Sequence, residues 1–234
     1  MSAGGPLVAV IPCYNPGPAL VDVITQTRAQ VDALLVVDDG SDAATAERLR
    51  DTGVACLRLP TNRGKGHALL AGLTHWLAEP AWAAVVLLDA DGQHDPAEIV
   101  ALRRAWERGL GDVIIGARTG DWTAVDARRR WANRVSTRVL SRLCGQVIVD
   151  SQSGFRLLAR PVVERVVPSL DGGRYETESA LLIRAARAGF RIASVPVRLI
   201  PPHPEVPSHF RALRDSLRVA GALVRHAMDS GPVR

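Results

Sequence analysis

Two carboxylates stand two residues apart directly after an apolar run, in "LLDADGQHDP" (87–96). Asp89 and Asp91 repel each other, so their position at the exit of a predicted buried strand needs a compensating charge. Carboxylate oxygens are hard ligands, and Mg²⁺ commonly takes one or two of them and completes its shell with waters and substrate phosphates. Gln93 and His94 lie close by in the chain. The spacing therefore predicts a site for Mg²⁺ or Mn²⁺ that carries a diphosphate.

An EF-hand and a structural turn compete with this metal site for the same stretch. An EF-hand loop needs glycine at its sixth position and glutamate at its twelfth. Counted from Asp89, the glycine is fourth and the twelfth residue is Val100, which excludes an EF-hand. A structural turn capped by Asp91 stays open as an alternative.

Alternating strand-like and helix-like segments position these carboxylates. Continuous Val, Ile and Leu runs that alternate with helices imply a parallel sheet covered on both faces. Ligands of such sheets gather at the carboxyl ends of the strands. Asp38 and Asp39 stand at another strand end, where they could accept hydrogen bonds from a base or ribose, or form a turn with Ser41 as a helix cap. The predicted strands are 7–12, 34–39, 55–60, 83–89 and 112–117.

The second half of the chain is less regular. Helices are predicted over 126–145 and 175–189, a strand over 190–200, and a last helix from Ser208 to about Met228. There is no internal repeat, low-complexity tract or clear linker. We therefore expect residues 1–234 to form one domain.

The stretch "TNRGKGHALLAG" (61–72) is rich in glycine at a predicted helix start. It is not a P-loop, because G-x-x-x-x-G-K-[ST] is absent. It is not a dinucleotide fingerprint either, because Leu69 stands where the third glycine belongs. A helix start with Lys65 still suits an anion.

The charge and the amino-acid composition indicate which kinds of partner the protein could bind. The formal charge is +5, and Lys65 is the only lysine among 29 basic residues. This surplus suits phosphate-bearing partners or an anionic membrane surface. The chain has only 4 % aromatic residues and no recognisable nucleic-acid-binding motif, so nucleic-acid binding is disfavoured. The cysteines, Cys13, Cys56 and Cys144, have no metal-site spacing, and we expect them reduced and buried in or near the core.

No start typical of a signal peptide and no apolar segment of roughly 18–20 residues is present. We expect a cytoplasmic protein, with membrane contact limited to peripheral attachment at the cytoplasmic face. Arg130, Arg134, Arg138 and Arg142 recur every four residues beside apolar positions, as in an interfacial helix at lipid headgroups. An ordinary core-packed helix with a solvated charged side would produce the same pattern.

Six motifs occur in an order and spacing that resembles family 2 glycosyltransferases of the GT-A fold, and within them the dolichyl- or polyprenyl-phosphate sugar synthases. The resemblance implies an α/β, GT-A (nucleotide-diphospho-sugar transferase) fold with a mostly parallel central sheet and helices on both faces. It implies a nucleotide-binding half to about residue 117 and an acceptor-binding half from about 118. The motifs are "IPCYN", "VVDDGSD", "NRGKGHALLAG", "LDADGQHDP", "SGFRLLAR" and "YETES", over roughly residues 7 to 200.

The resemblance also implies inverting transfer of a sugar from a UDP- or GDP-sugar, with Mg²⁺ or Mn²⁺. Metal ligands would be Asp89, Asp91 and Gln93. Residues implied around the nucleotide are Pro12, Tyr14, Asp38, Asp39, Lys65, Asp89 and Ala90.

What attacks the sugar depends on the acceptor. A lipid phosphate is already anionic and needs arginines rather than a base, because the guanidinium fork matches phosphate oxygens. A hydroxyl acceptor needs a base within hydrogen-bond reach. Asp91 is placed among the catalytic residues, and Glu176 or Glu178 could supply the base, although many relatives carry a Glu-Asp pair here. Arginines implied for the acceptor phosphate are Arg118, Arg129 and Arg156, and "SHFR" (208–211) adds His209 and Arg211.

Two further functions stay open. A sugar nucleotidyltransferase would share the alternating pattern, but it usually carries basic residues in a glycine-rich loop after the first strand, and "PCYNPGPAL" (12–20) has none. A non-catalytic nucleotide-sugar-binding module would not need an intact Asp89 and Asp91 pair. Both are therefore less favoured than a glycosyltransferase, whose acceptor is either a polyprenyl phosphate or a saccharide hydroxyl.

Overall fold

The computed structural model describes residues 4–119, 127–173, 176–198 and 200, of which 119 and 127–132 are described by their backbone only. The described part of the chain builds one sheet of seven strands in the order β3-β2-β1-β4-β6-β5-β7. The strands are β1 (Leu7–Cys13), β2 (Ala33–Asp38), β3 (Ala55–Arg58), β4 (Ala84–Leu87), β5 (Val113–Thr119), β6 (Arg156–Ala159) and β7 (Ile192–Arg198). The helices are α1 (Leu20–Arg28), α2 (Ala43–Asp51), α3 (Lys65–Ala78), α4 (Ile99–Glu107), α5 (Ala127–Cys144), α6 (Arg160–Val166) and α7 (Glu176–Arg187).

Helices cover both faces of the sheet because its central strands are apolar on both sides. Successive side chains of a strand point to opposite faces. Val8 and Val10 of β1 pack with Leu73 of α3 on one face, whereas Ile11 packs with Ile24 of α1 on the other. Helices α3, α5, α6 and α7 contribute to the first core, and α1, α2 and α4 to the second. This confirms the predicted fold class.

Strand β6 runs antiparallel to both of its neighbours, β4 and β5, while β1 to β4 are parallel to one another. Its first residue, Arg156, lies opposite Leu87, the last residue of β4. The segment that enters β6 therefore arrives at the same sheet edge from which Asp89 leaves β4. Nothing in the local sequence indicates this antiparallel direction.

Local signals account for most element boundaries. Asp42, the residue after the predicted cap Ser41, caps α2 by accepting a hydrogen bond from Thr45 N at 2.8 Å. Gly109 has φ 68° directly after α4, where left-handed geometry ends a helix. The last helix predicted from Ser208 lies outside the described residues.

The cysteine prediction was wrong at one position. Cys13 and Cys144 are buried, but Cys56 is exposed because it lies on β3, at one edge of the sheet. All three thiols are free. Among the helices that the structure describes, none has the length and apolar character needed to cross a bilayer.

Candidate functional site

The turn that leaves β4 holds the Asp89 and Asp91 carboxylates at the carboxyl edge of the sheet. Gly92 has φ 75°, so the chain reverses tightly after Asp91. The backbone N of Gln93 donates to Asp91 Oδ1 at 3.0 Å, and Gln93 Nε2 donates to Asp91 Oδ2 at 2.6 Å. Gln93, a predicted metal ligand, thus contacts Asp91 directly and keeps its amide oxygen for another partner. Ala90 is buried between the two aspartates.

Lys65 brings three elements together at this edge. Its ammonium lies 2.7 Å from Asp89 Oδ1 and 3.2 Å from both carboxylate oxygens of Glu178. Lys65 starts α3, Asp89 follows β4, and Glu178 lies in the first turn of α7. Burial disfavours ionisation of Asp89, but the Lys65 ammonium outweighs it and holds the pKa of Asp89 below its ordinary value. Burial alone would lower the pKa of Lys65, but the two carboxylates together outweigh it and raise the pKa, so Lys65 stays cationic.

The chemistry of the Asp89 and Asp91 pair fits a divalent cation. Burial and the neighbouring Asp89 raise the pKa of Asp91, so this carboxylate gains from any added positive charge. Within the described ranges, no three His, Cys, Asp or Glu side chains are grouped to hold a metal by themselves. Two carboxylates nevertheless suffice for Mg²⁺ or Mn²⁺ when substrate phosphates complete the coordination shell.

His94 is buried in the turn that follows Asp91. Its ring lies 5.3 Å from that of Phe155, centroid to centroid, and its side chain is buried with Nδ1 lacking a hydrogen-bond partner in the described structure. Burial lowers the pKa of His94 to about 4. The imidazole is therefore neutral near pH 7 and adds no cation to the site.

The ends of β1 and β2 form the neighbouring part of the edge. Pro12 is buried within β1, and Tyr14 follows it with 37 % of its surface exposed. Asn15 adopts φ 43° and its side chain accepts a hydrogen bond from Asp42 N at 2.9 Å, which ties the loops after β1 and β2 together. Tyr14 lies beside this contact and is exposed at the carboxyl edge, and its predicted nucleotide contact stays a prediction.

Asp38 and Asp39 use their carboxylates within the protein. Asp38 accepts from Ser41 N and from the Arg58 guanidinium, at 2.9 and 2.8 Å. Asp39 accepts from the backbone N of Arg63 and of Gly64, at 2.8 and 2.7 Å, and so fixes the loop that leads into α3. Both side chains are buried. This geometry gives the two aspartates a structural role, and their nucleotide contacts stay predictions.

Arg118 lies at the end of β5 and forms a two-pronged ion pair with Asp150. Its Nε and Nη2 donate to the two carboxylate oxygens at 2.7 and 3.0 Å. Burial alone would raise the pKa of Asp150, but Arg118 holds it below the ordinary value. Sequence reasoning missed Asp150, whose only signal was the polar run "DSQSG" (150–154) before β6.

Arg156, predicted to bind the acceptor phosphate, is 1 % exposed. Its three guanidinium nitrogens donate to the backbone carbonyls of Ser153, Glu178 and Ser151 at 2.9, 2.8 and 3.0 Å. Burial lowers its pKa. The arrangement joins the start of β6 to α7, and it does not support the predicted phosphate contact.

Glu176 and Glu178 both lie in the first turn of α7, where acidic residues favour a helix N-terminus. Glu178 faces Lys65, whereas Glu176 Oε2 is buried with no hydrogen-bond partner in the described structure. The structure thus distinguishes two glutamates that the sequence could not. Arg129 lies in α5 with its side chain outside the described part of the chain, and His209 and Arg211 lie outside the described residues.

Comparisons with known proteins agree with this geometry. The Glycosyl transferase family 2 model matches residues 8–167. The chain belongs to this family. It is a glycosyltransferase with a GT-A fold, and the predicted resemblance is confirmed.

Relatives within the family include enzymes named for lipid phosphates. An undecaprenyl-phosphate mannosyltransferase of Micrococcus luteus is 27 % identical over 208 residues, which cover 83 % of each chain. A polyprenol monophosphomannose synthase of Mycolicibacterium smegmatis is 30 % identical over 203 residues, covering 81 % of this chain and 76 % of the relative.

The fold of this chain is also similar to that of a solved structure. The crystal structure of glucosyl-3-phosphoglycerate synthase from Mycobacterium tuberculosis, in complex with Mn²⁺, UDP and phosphoglyceric acid, superposes with a TM-score of 0.75 at 22 % identity. The match covers 97 % of this chain and 80 % of that one. At this identity the comparison speaks for the GT-A fold alone.

Proposed function

We propose that this family 2 glycosyltransferase moves a sugar, with inversion, from a UDP- or GDP-sugar to a polyprenyl or dolichyl phosphate at a membrane surface, using Mg²⁺ or Mn²⁺. Residues up to about 117 would hold the donor and those from about 118 the acceptor. The observation that carries the proposal is the charge cluster of Asp89, Asp91, Lys65 and Glu178 at the carboxyl edge of the sheet.

The chain's own residues have distinct parts in this reaction. Asp89 and Asp91, with Gln93, would hold the cation, which supplies Lewis-acid stabilisation of charge on the leaving nucleoside diphosphate. In the displacement, an acceptor oxygen forms a bond to the anomeric carbon while the bond to the diphosphate oxygen breaks. Tyr14, exposed after β1, would contact the nucleotide, and the neutral His94 adds no competing charge.

Two observations favour a phosphate acceptor. Glu178 is paired with Lys65 at 3.2 Å, so it is a poor general base, and a phosphate oxygen needs none. Arg118 lies close enough to Asp89 and Asp91 for their charges to raise its pKa, although burial and its pairing with Asp150 are the larger influences. The Arg118 side chain is 16 % exposed, and its guanidinium suits a phosphate beside the sugar.

The membrane part of the proposal rests on α5 and the segment that follows it. Arg134, Arg138 and Arg142 are exposed on one side of the helix, next to Val135 and Val139, which are also exposed. No acidic residue interrupts α5. Arginines beside apolar side chains suit an anionic lipid surface. Val147 and Val149, 82 % and 60 % exposed, extend the apolar surface.

A saccharide hydroxyl is the second candidate acceptor. It is favoured by Glu176, whose buried Oε2 lacks a partner among the described groups and could accept a proton. Replacing Glu176 with Gln separates the two possibilities. Turnover would nearly vanish with a hydroxyl acceptor and would change little with a phosphate acceptor.

The decisive experiment is a screen of UDP- and GDP-sugars with Mn²⁺ or Mg²⁺, with and without polyprenyl phosphate. Sugar incorporated into a lipid extract, and its loss in Asp91→Asn, would support the proposal. Transfer to a free saccharide but never to lipid would contradict the acceptor. Binding of a nucleotide sugar with neither transfer nor hydrolysis would point to the non-catalytic binding module, whereas release of free sugar would argue against it.

A further inference from the structure

Lys65 is shared between a carboxylate of the donor half and one of the acceptor half. Its ammonium is 2.7 Å from Asp89 and 3.2 Å from Glu178, and the three side chains are 20 %, 26 % and 11 % exposed. It is the only lysine of the chain, in a sequence that otherwise uses arginine for every basic side chain. An ammonium is a compact charge with three donors, so it can bind two carboxylates in little space.

Glycines make the space around this ammonium narrow. A Cβ on Gly154 would lie 2.6 Å from Asp89 Oδ2 and 2.8 Å from Lys65 Nζ. A Cβ on Gly66 would clash with the Thr177 side chain and lie 2.7 Å from the Gly173 carbonyl oxygen. The start of α3, the entry to β6 and α7 therefore close tightly around Lys65. The ammonium is held in place and contacts the carboxylate that a metal would use.

The charges of this cluster determine how favourably a divalent cation can bind there. Asp89 is one of the proposed metal ligands, and its Oδ1 is hydrogen-bonded to Lys65. A metal that binds Asp89 must weaken this contact and then lies close to a positive ammonium, which is unfavourable at short range. Glu178 remains as a second partner for the ammonium. A nucleoside diphosphate brings negative charge that stabilises both cations together.

We propose that Lys65 competes with the divalent metal for Asp89, so that the metal binds well only together with the nucleoside diphosphate. This inference rests on the proposed function, because it assumes that Asp89 and Asp91 hold the cation. Lys65 acts here as a positioning residue: it keeps Asp89 in place before the donor arrives and passes to Glu178 and the diphosphate when the metal is bound. By linkage, the metal and the nucleotide strengthen each other's binding by the same factor.

The test is Mn²⁺ binding, measured from the free-ion signal by electron paramagnetic resonance, with and without UDP and in parallel with GDP. Wild type is expected to bind Mn²⁺ weakly alone and more tightly with one of the two nucleotides. Lys65→Met, which removes the charge at similar length, is expected to bind Mn²⁺ alone at least tenfold more tightly than wild type, equivalent to about 1.4 kcal/mol. The factor by which nucleotide improves Mn²⁺ binding should fall by a similar amount.

Two further variants keep the result interpretable. Arg63→Met removes a positive charge from the same loop, where only the backbone of Arg63 is tied to Asp39, and it should leave Mn²⁺ affinity unchanged. Glu178→Gln leaves Asp89 as the only carboxylate on Lys65, so nucleotide-free Mn²⁺ binding should weaken. This opposite shift tests the inference even if Lys65→Met does not fold.

The outcomes separate this inference from the proposed function. If wild type binds Mn²⁺ with nucleotide but Lys65→Met binds it no better alone, the competition is disproved and the metal site stands. Equal gains in Lys65→Met and Arg63→Met would also overturn it, because the effect would then be general charge rather than contact. If Mn²⁺ binds to no form of the protein, the proposed function fails together with the inference.

Discussion

Gly154→Ala is the substitution whose effect on the site can be worked out most directly. The added Cβ would lie 2.6 Å from Asp89 Oδ2, about 0.8 Å closer than an ordinary contact of 3.4 Å. Gly154 is not among the glycines with positive φ, so its backbone accepts alanine without strain. The atoms it meets are the ends of the Asp89 and Lys65 side chains, which can move. We therefore expect the fold to survive while the carboxylate shifts.

A displacement of about 1 Å at a reacting centre can reduce the rate roughly 100-fold. Gly154→Ala is thus expected to lower kcat/KM about 100-fold, or about 2.7 kcal/mol in transition-state stabilisation. The assay is sugar transfer with the donor and acceptor that the screen identifies, run beside thermal unfolding. The melting temperature should change little.

Gly145→Ala is the matched control. Gly145 has φ 62° and nothing within 4 Å of its added Cβ, so alanine there strains the backbone by about 1–2 kcal/mol without touching the site. It should lower stability and leave activity intact, the reverse of Gly154→Ala. Activity of Gly154→Ala within threefold of wild type would refute the placement of Asp89 in the reaction.

Three other predictions concern residues in the second half of the chain. The pKa of Asp150 is depressed, so its carboxylate contributes stability above the ordinary pKa of about 3.9, and this stability is lost as pH falls through the lower folded value. Asp150→Asn should therefore lower the free energy of unfolding at pH 7 by about 3–5 kcal/mol and flatten the acid side of a profile of melting temperature against pH. Parallel profiles for the variant and the wild type would contradict this. Arg156→Lys should destabilise the protein by about 1–3 kcal/mol in denaturant titrations, because one ammonium cannot reach the three carbonyl oxygens that the guanidinium binds. Unchanged stability together with a raised KM for the acceptor would instead support the predicted contact of Arg156 with the acceptor phosphate. Replacing Arg134, Arg138 and Arg142 with Gln should reduce co-sedimentation with anionic vesicles by about tenfold or more, because each arginine near such a surface contributes about 1 kcal/mol to membrane binding. Undiminished co-sedimentation would show that α5 does not contact the membrane.

The fold was largely readable from the sequence because its signals are local. Each apolar run of the first half became a strand, and Asp42 and Gly109 mark helix boundaries as capping chemistry predicts. The antiparallel course of β6 was not readable, because strand direction depends on partners far away in the chain. Leu157 pairs with Val86 on one side and Ile114 on the other, and no local pattern encodes that choice.

The candidate site was readable in its residue types but not in its pairings. Asp89 and Asp91 stand out in the sequence because two carboxylates directly follow a buried run. The contact of Lys65 with Glu178 spans 113 residues and has no periodic signal. Arg156 is the clearest case in which the sequence alone was insufficient. An arginine at the start of a strand suggests a ligand contact or a surface charge, and only the contact between β6 and α7 shows that it is buried.

The central claim is that the carboxylates leaving β4 hold a cation together with a nucleoside diphosphate. Its most direct test is an anomalous difference map from crystals grown with Mn²⁺ and UDP or GDP. We predict a single strong peak within coordinating distance of Asp91, shared with diphosphate oxygens and lost in Asp91→Asn. A diphosphate bound at this edge with no peak beside Asp89 or Asp91, or a manganese bound elsewhere on the protein, would contradict the account.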